Sequence, residues 1–187
     1  MKTDSKIYRL LLEIVNDHDP TSAREEISRF KKMPSLKVDI KTAAESKKED
    51  GTCYSHQRRV FSRPDAIPTA RKILLAAEAK IEACTSFEQV LKLIVSLIAD
   101  VFGIGALYCY DVAIRIGAYV GSLPKKVHLH AGALNGAKLL GLPTERGFLN
   151  VSELPEPLQG FKPNEIEDML CHLANAAKHG KLKPSLC

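Results

Sequence analysis

The chain has no tryptophan, and aromatic side chains make up only 6% of its 187 residues. A core built with so few rings falls to Leu, Ile, Val and Ala, which favours packed helices over a β-sandwich. No C-x-x-C pair is present. The cysteines, Cys53, Cys84, Cys109, Cys171 and Cys187, are odd in number. Free thiols of a reducing compartment are therefore expected, with Cys84 and Cys109 set in apolar helical patterns, and no motif marks a thiol nucleophile. No apolar run reaches bilayer length, since Val90–Val101 is short and carries Lys92 and Asp100. The opening MKTDSKIYRLLLEIVNDHD has a brief apolar run broken by Glu13, unlike a signal peptide. The expectation is a soluble, cytoplasmic protein that stays off membranes. Internal repeats and low-complexity tracts are also missing.

Against these absences stand 45% hydrophobic and 26% charged residues, enough for a globular core. The formal net charge of +5 and a pI of about 8.9 permit a polyanionic partner without requiring one.

The hydrophobic pattern predicts an all-α protein. Residues 6–16 carry a helical stripe of Ile7, Leu10, Leu11, Ile14 and Val15. Pro20, Thr21 and Ser22 open a second helix to about Lys32, with Ser22 as its cap and Glu25 and Glu26 in its first turn. Residues 1–33 thus read as an N-terminal helical pair. Residues 34–66 read as a loop or linker: Pro34–Gly51 is rich in Lys, Glu, Asp and Ser, and TCYSHQRRVFSRPDA is irregular and basic. The core is expected over 67–180, followed by a frayed tail, 181–187. A helix should run from Pro68 to about Ala83, and another, opened by a capping box at Thr85–Glu88, to about Val101. Further helices follow at Ala106–Val120, Ala133–Leu140 and from Asn164 to about Lys178, with an extended Val127–His130 and a loop over 141–162.

The most informative stretch is LIVSLIADVFGIGALYCYDVAIRIGAYVG, Leu93–Gly121. It reads as helix, a tight Phe-Gly-Ile-Gly turn, then helix. The glycines, Gly103 and Gly105, make positive φ available at both positions, and Ile104 between them can point back to pin the helices together. The amides of Gly105, Ala106 and Leu107 then face outward at a helix start, where unsatisfied N–H donors and the positive dipole end can hold a phosphate.

This segment resembles the helix-hairpin-helix motif: an apolar residue, Gly-x-Gly with an apolar centre, then a helix with small or apolar Cys109, Val112, Ala113 and Ile116. A wider resemblance is to the helix-hairpin-helix DNA glycosylases of the endonuclease III type. There the second helix leads into a loop, a short Val-Asp-Thr-His-like segment and another helix. Here it leads into a loop, Val127-His128-Leu129-His130 and a helix from Ala133. The family's catalytic residues do not carry over. Its lysine falls on Leu107, its aspartate roughly on His128, and its four-cysteine cluster is absent. The resemblance implies a glycosylase-like helical scaffold that grips DNA and has lost that chemistry.

Three functions follow as expectations. The first is sequence-independent binding of double-stranded DNA, in repair or processing, through the backbone of Gly103, Ile104, Gly105, Ala106 and Leu107. Arg58, Arg59, Lys125 and Lys126 would add phosphate contacts that position rather than specify. The second is a diverged DNA-processing enzyme with a cleft around Asp111, His128 and His130, although no wedge for base extrusion is recognisable. The third is a non-catalytic interaction subunit, with a protein partner or a second copy. No cofactor or metal is expected. Asp111 and Arg115 are spaced to pair on one helix face. His128 and His130 are expected to project to opposite faces of the extended segment. Gly132 and Gly136 suit either an anion-binding amide cluster or close helix packing. Glu165 and Asp168 suit helix capping better than a metal.

Overall fold

The computed structural model describes residues 5–54 and 57–179. These are predominantly α-helical, with one two-stranded ribbon. The chain divides into two compact units, residues 22–123 and residues 1–21 with 124–187. The expected N-terminal pair is split by this division. Helix α1 (Ser5–Asp17) sends Leu11 and Ile14 into the core of the second unit, whereas α2 (Thr21–Lys31) sends Ile27 and Phe30 into that of the first. The start of α2 is capped by Asp19, whose Oδ1 accepts from the Thr21 amide at 2.9 Å, so Ser22 lies inside the helix instead of capping it.

The unit of residues 22–123 corrects the reading of 34–66 as a linker. Residues Leu36–Glu45 form a helix, α3, opened by Ser35, whose side chain accepts from the Val38 amide. Leu36, Ile40, Ala43 and Ala44 are all buried in the core, at the spacing of one helical stripe. The stripe is narrow and half alanine, and lysines fill the other faces, so the composition looks like a solvated loop. A short helix, α4 (Arg58–Phe61), leads into α5 (Ala66–Ala76) and α6 (Glu78–Glu82). These last two replace the single helix expected over 68–83, with the break at Ala77.

Helix α7 (Phe87–Ile98) and helix α8 (Ala106–Tyr119) form the hairpin pair, and α3 packs on both α5 and α8. The cap of α7 sits one residue later than expected. Ser86 accepts from the Gln89 amide, and Gln89 reaches back to the Thr85 amide at 2.8 Å. Phe87, Val90, Ile94 and Ile98 are buried at helical spacing, and Phe87 meets Tyr110 edge to face at 5.8 Å. Such a pair adds about 1 kcal/mol beyond its buried area.

In the other unit, β1 (Val127–His128) pairs antiparallel with β2 (Phe148–Leu149), a partner the sequence reading did not anticipate within the 141–162 loop. Helix α9 (Ala131–Leu139) starts two residues before the expected Ala133 and packs along α10 (Pro163–His179). α1 also packs on α10. The choice left open for Gly132 and Gly136 falls on packing. A Cβ at Gly136 would sit 2.0 Å from the Leu170 carbonyl oxygen, and one at Gly132 would sit 2.3 Å from Cys171 Sγ. The glycines let α10 approach the α9 backbone more closely than any side chain would allow. The tail expected to fray, 181–187, lies outside the described residues. No helix among the described residues is long and apolar enough to cross a membrane.

Candidate nucleic-acid interface

The turn between α7 and α8 is built by one left-handed glycine. Gly103 has φ +96°, a conformation that strains any side chain, and the Ile104 amide closes the turn on the Val101 carbonyl at 2.9 Å. Gly105 does not share this geometry. Its φ is −118° and ψ 170°, ordinary extended backbone, so the expectation of positive φ at both glycines is corrected. Val101 and Ile104 are half-buried and pack against the core, which turns the rest of the hairpin tip outward.

Gly105 is the N-cap of α8 and, having no side chain, leaves the first-turn amides without a side-chain cap. It and Ala106 are exposed, and Leu107 is half-buried. The first amide of this helix with a backbone acceptor is that of Cys109, which donates to the Gly105 carbonyl at 3.1 Å. The amides of Ala106 and Leu107 lie before that point, where an α-helix offers no internal acceptor. A Cβ at Gly105 would meet nothing within 4 Å. Asp100 lies three residues before Gly103, and Asp65, distant in the chain, shares a cavity wall with Phe102.

The basic run divides. Arg58 and Arg59 open α4, and their side chains lie beyond what the structure describes, as does His56 altogether. Arg63 is exposed, its guanidinium 4.7 Å from the centre of the Phe102 ring. Arg71 is held by Glu45 at 3.0 Å. Lys125 and Lys126 belong to the other unit. Lys125 is exposed, and the Lys126 ammonium lies 4.3 Å from the Phe148 ring centre, which Arg146 approaches at 5.3 Å.

The residues expected to line a catalytic cleft are each engaged inside their own unit. Asp111 accepts a hydrogen bond from Gln57 Nε2. Its charge also acts on the buried guanidinium of Arg115, in keeping with the i, i+4 spacing. The ion pair of Arg115 is with Glu26, at 2.6 Å. The same guanidinium donates to Ser46 Oγ at 2.8 Å and lies 4.7 Å from the Tyr54 ring. Arg115 thus ties the end of α3 to α2 and α8. Sequence reasoning missed this role because the partners lie up to 89 positions away. His128 and His130 do not project oppositely. Positions two apart on an extended chain share a face, and the two rings lie parallel within 9°, 6.4 Å between centres.

Burial pushes the Cys109 thiol up to about 11 and raises that of Cys84. Glu165 accepts from the Lys162 amide and so caps α10. Among the described residues no three His, Cys, Asp or Glu side chains gather as metal ligands.

One further residue stands out that the sequence did not flag. Phe102, at the hairpin tip, is 78% exposed, about twice the exposure of any other large apolar side chain among the described residues. Its composition signal is nil, because a lone Phe beside a glycine reads as core. Neither a family model, nor a curated protein, nor a solved structure matches this chain.

Proposed function

We propose that this protein binds duplex DNA without regard to sequence, by seating a backbone phosphate on the main-chain amides that open α8. The observation that carries this reading is the exposure of Gly105 and Ala106 at an uncapped helix start, set outward by the Gly103 turn. Such an end concentrates N–H donors and the positive helix dipole. The net charge of +5 and the arginines of the 58–63 segment supply the long-range attraction.

The test is fluorescence anisotropy with a labelled duplex across a salt series. Binding should weaken steeply as salt rises. Gly105→Ala should bind like the parent, because φ −118° suits any residue and the added methyl meets nothing. Gly105→Glu should keep the helical circular-dichroism spectrum and lose roughly a hundredfold in affinity, since a like charge placed against phosphate costs a few kcal/mol. A Gly105→Glu protein that binds as tightly as the parent would overturn the reading.

A further inference from the structure

An apolar ring held out into solvent at the tip of a tight turn calls for an explanation. Phe102 is exposed while its neighbours Val101 and Ile104 pack inward. Arg63 lies over the ring, and its stem passes against Gly103. A Cβ at Gly103 would sit 2.7 Å from Arg63 Cγ, so the glycine that makes the turn also makes room for the arginine. The pair borders a cavity of about 470 Å³ lined by Arg63, Asp65, Ala66, Thr69, Val101 and Phe102. Ala66 and Val101 give it apolar wall, and its polar side chains are one cation, one carboxylate and one hydroxyl.

We infer that this cavity takes an unpaired nucleobase, stacked on the Phe102 ring, from a strand whose phosphate is held at the head of α8. The inference rests on the DNA-binding reading above and narrows it from plain duplex to duplex that carries unpaired nucleotides. The chemistry fits a base. A planar π-system stacks on an aromatic face, and the guanidinium of Arg63 adds a cation that attracts both the π-cloud and the phosphates. The Asp65 carboxylate can accept from an exocyclic amino group, and the Thr69 hydroxyl can donate or accept at a base edge. Chain geometry keeps the Phe102 and Gly105 Cα atoms within roughly 11 Å of each other, so one short stretch of strand can reach both. Bases paired inside a duplex cannot reach such a ring, which is why the partner must offer an unpaired one.

Anisotropy with two labelled probes tests this on the full chain: a blunt duplex, and the same duplex with a short single-stranded overhang. The parent should prefer the overhang probe by roughly tenfold, the usual worth of one stacked base. Phe102→Ala should lose that preference and keep its affinity for the blunt duplex. Phe102→Trp should keep the preference. Because the chain has no other tryptophan, its indole emission should be quenched by the overhang probe and not by the blunt one. Equal affinity of the parent for both probes, or emission that stays constant at saturation, overturns the stacking inference while leaving Gly105-dependent duplex binding intact. If Gly105→Glu binds the blunt duplex like the parent, the underlying reading fails instead.

Discussion

Asp39 is a carboxyl group with no exposed surface. Neither of its oxygens finds a hydrogen-bond partner among the described residues. Burial alone raises its pKa from 3.8 to about 8. In the fold it therefore holds its proton up to about pH 8, whereas the unfolded chain releases it near pH 4. Because the folded state binds the extra proton, stability falls as pH rises through that window, at up to about 1.4 kcal/mol per pH unit, and levels off above it. Asp39→Asn should match the parent in denaturant midpoint near pH 4 and exceed it by a few kcal/mol near pH 9. A difference between the two proteins that does not change with pH would remove Asp39 as the cause. A residue of this kind is invisible in the sequence, where KVDIKT reads as one more polar segment.

At the scale of elements, legibility followed the width of the apolar stripe. α7, with Phe87, Val90, Ile94 and Ile98 on one side, and α8 were readable because large side chains repeat at helical spacing. α3 was not, because two of its buried positions are alanines and the third element it needs, α8, lies some 70 positions on in the chain, as the Arg115 contact to Ser46 shows. The β1–β2 ribbon escaped for a similar reason: two residues a side carry no period. α9 was readable as a helix, but the meaning of its glycines was not, since only the position of Leu170 on α10 decides it. That contact yields a sharp expectation. Gly136→Ala places a methyl against backbone that cannot move aside, and it should destabilise the fold by about 1–3 kcal/mol. Gly141→Ala is no control, because φ +68° strains it independently. Gly105→Ala, in the other unit, should leave the thermal midpoint unchanged. Equal midpoints for Gly136→Ala and the parent would show that α9 and α10 do not depend on the close approach.

For the whole molecule, the helical class and the hairpin were legible, and the candidate site was legible in part. The backbone donors could be placed from Gly103-Ile104-Gly105 alone. The exposed ring at Phe102 could not, because exposure of an apolar residue depends on what else the fold has available to cover it. The expected cleft of Asp111, His128 and His130 drew on two units, and each of these side chains is engaged within its own. The proposed phosphate seat is the head of α8, with the Arg63 guanidinium beside Phe102 at the same hairpin tip. The most direct measurement is a backbone-amide correlation spectrum of the labelled protein titrated with a short duplex at low salt. The Gly105, Ala106 and Leu107 cross-peaks should move saturably and return toward their starting positions as salt is added. If the DNA shifts other amides and leaves these three in place, phosphate is held elsewhere and the account of this hairpin is wrong.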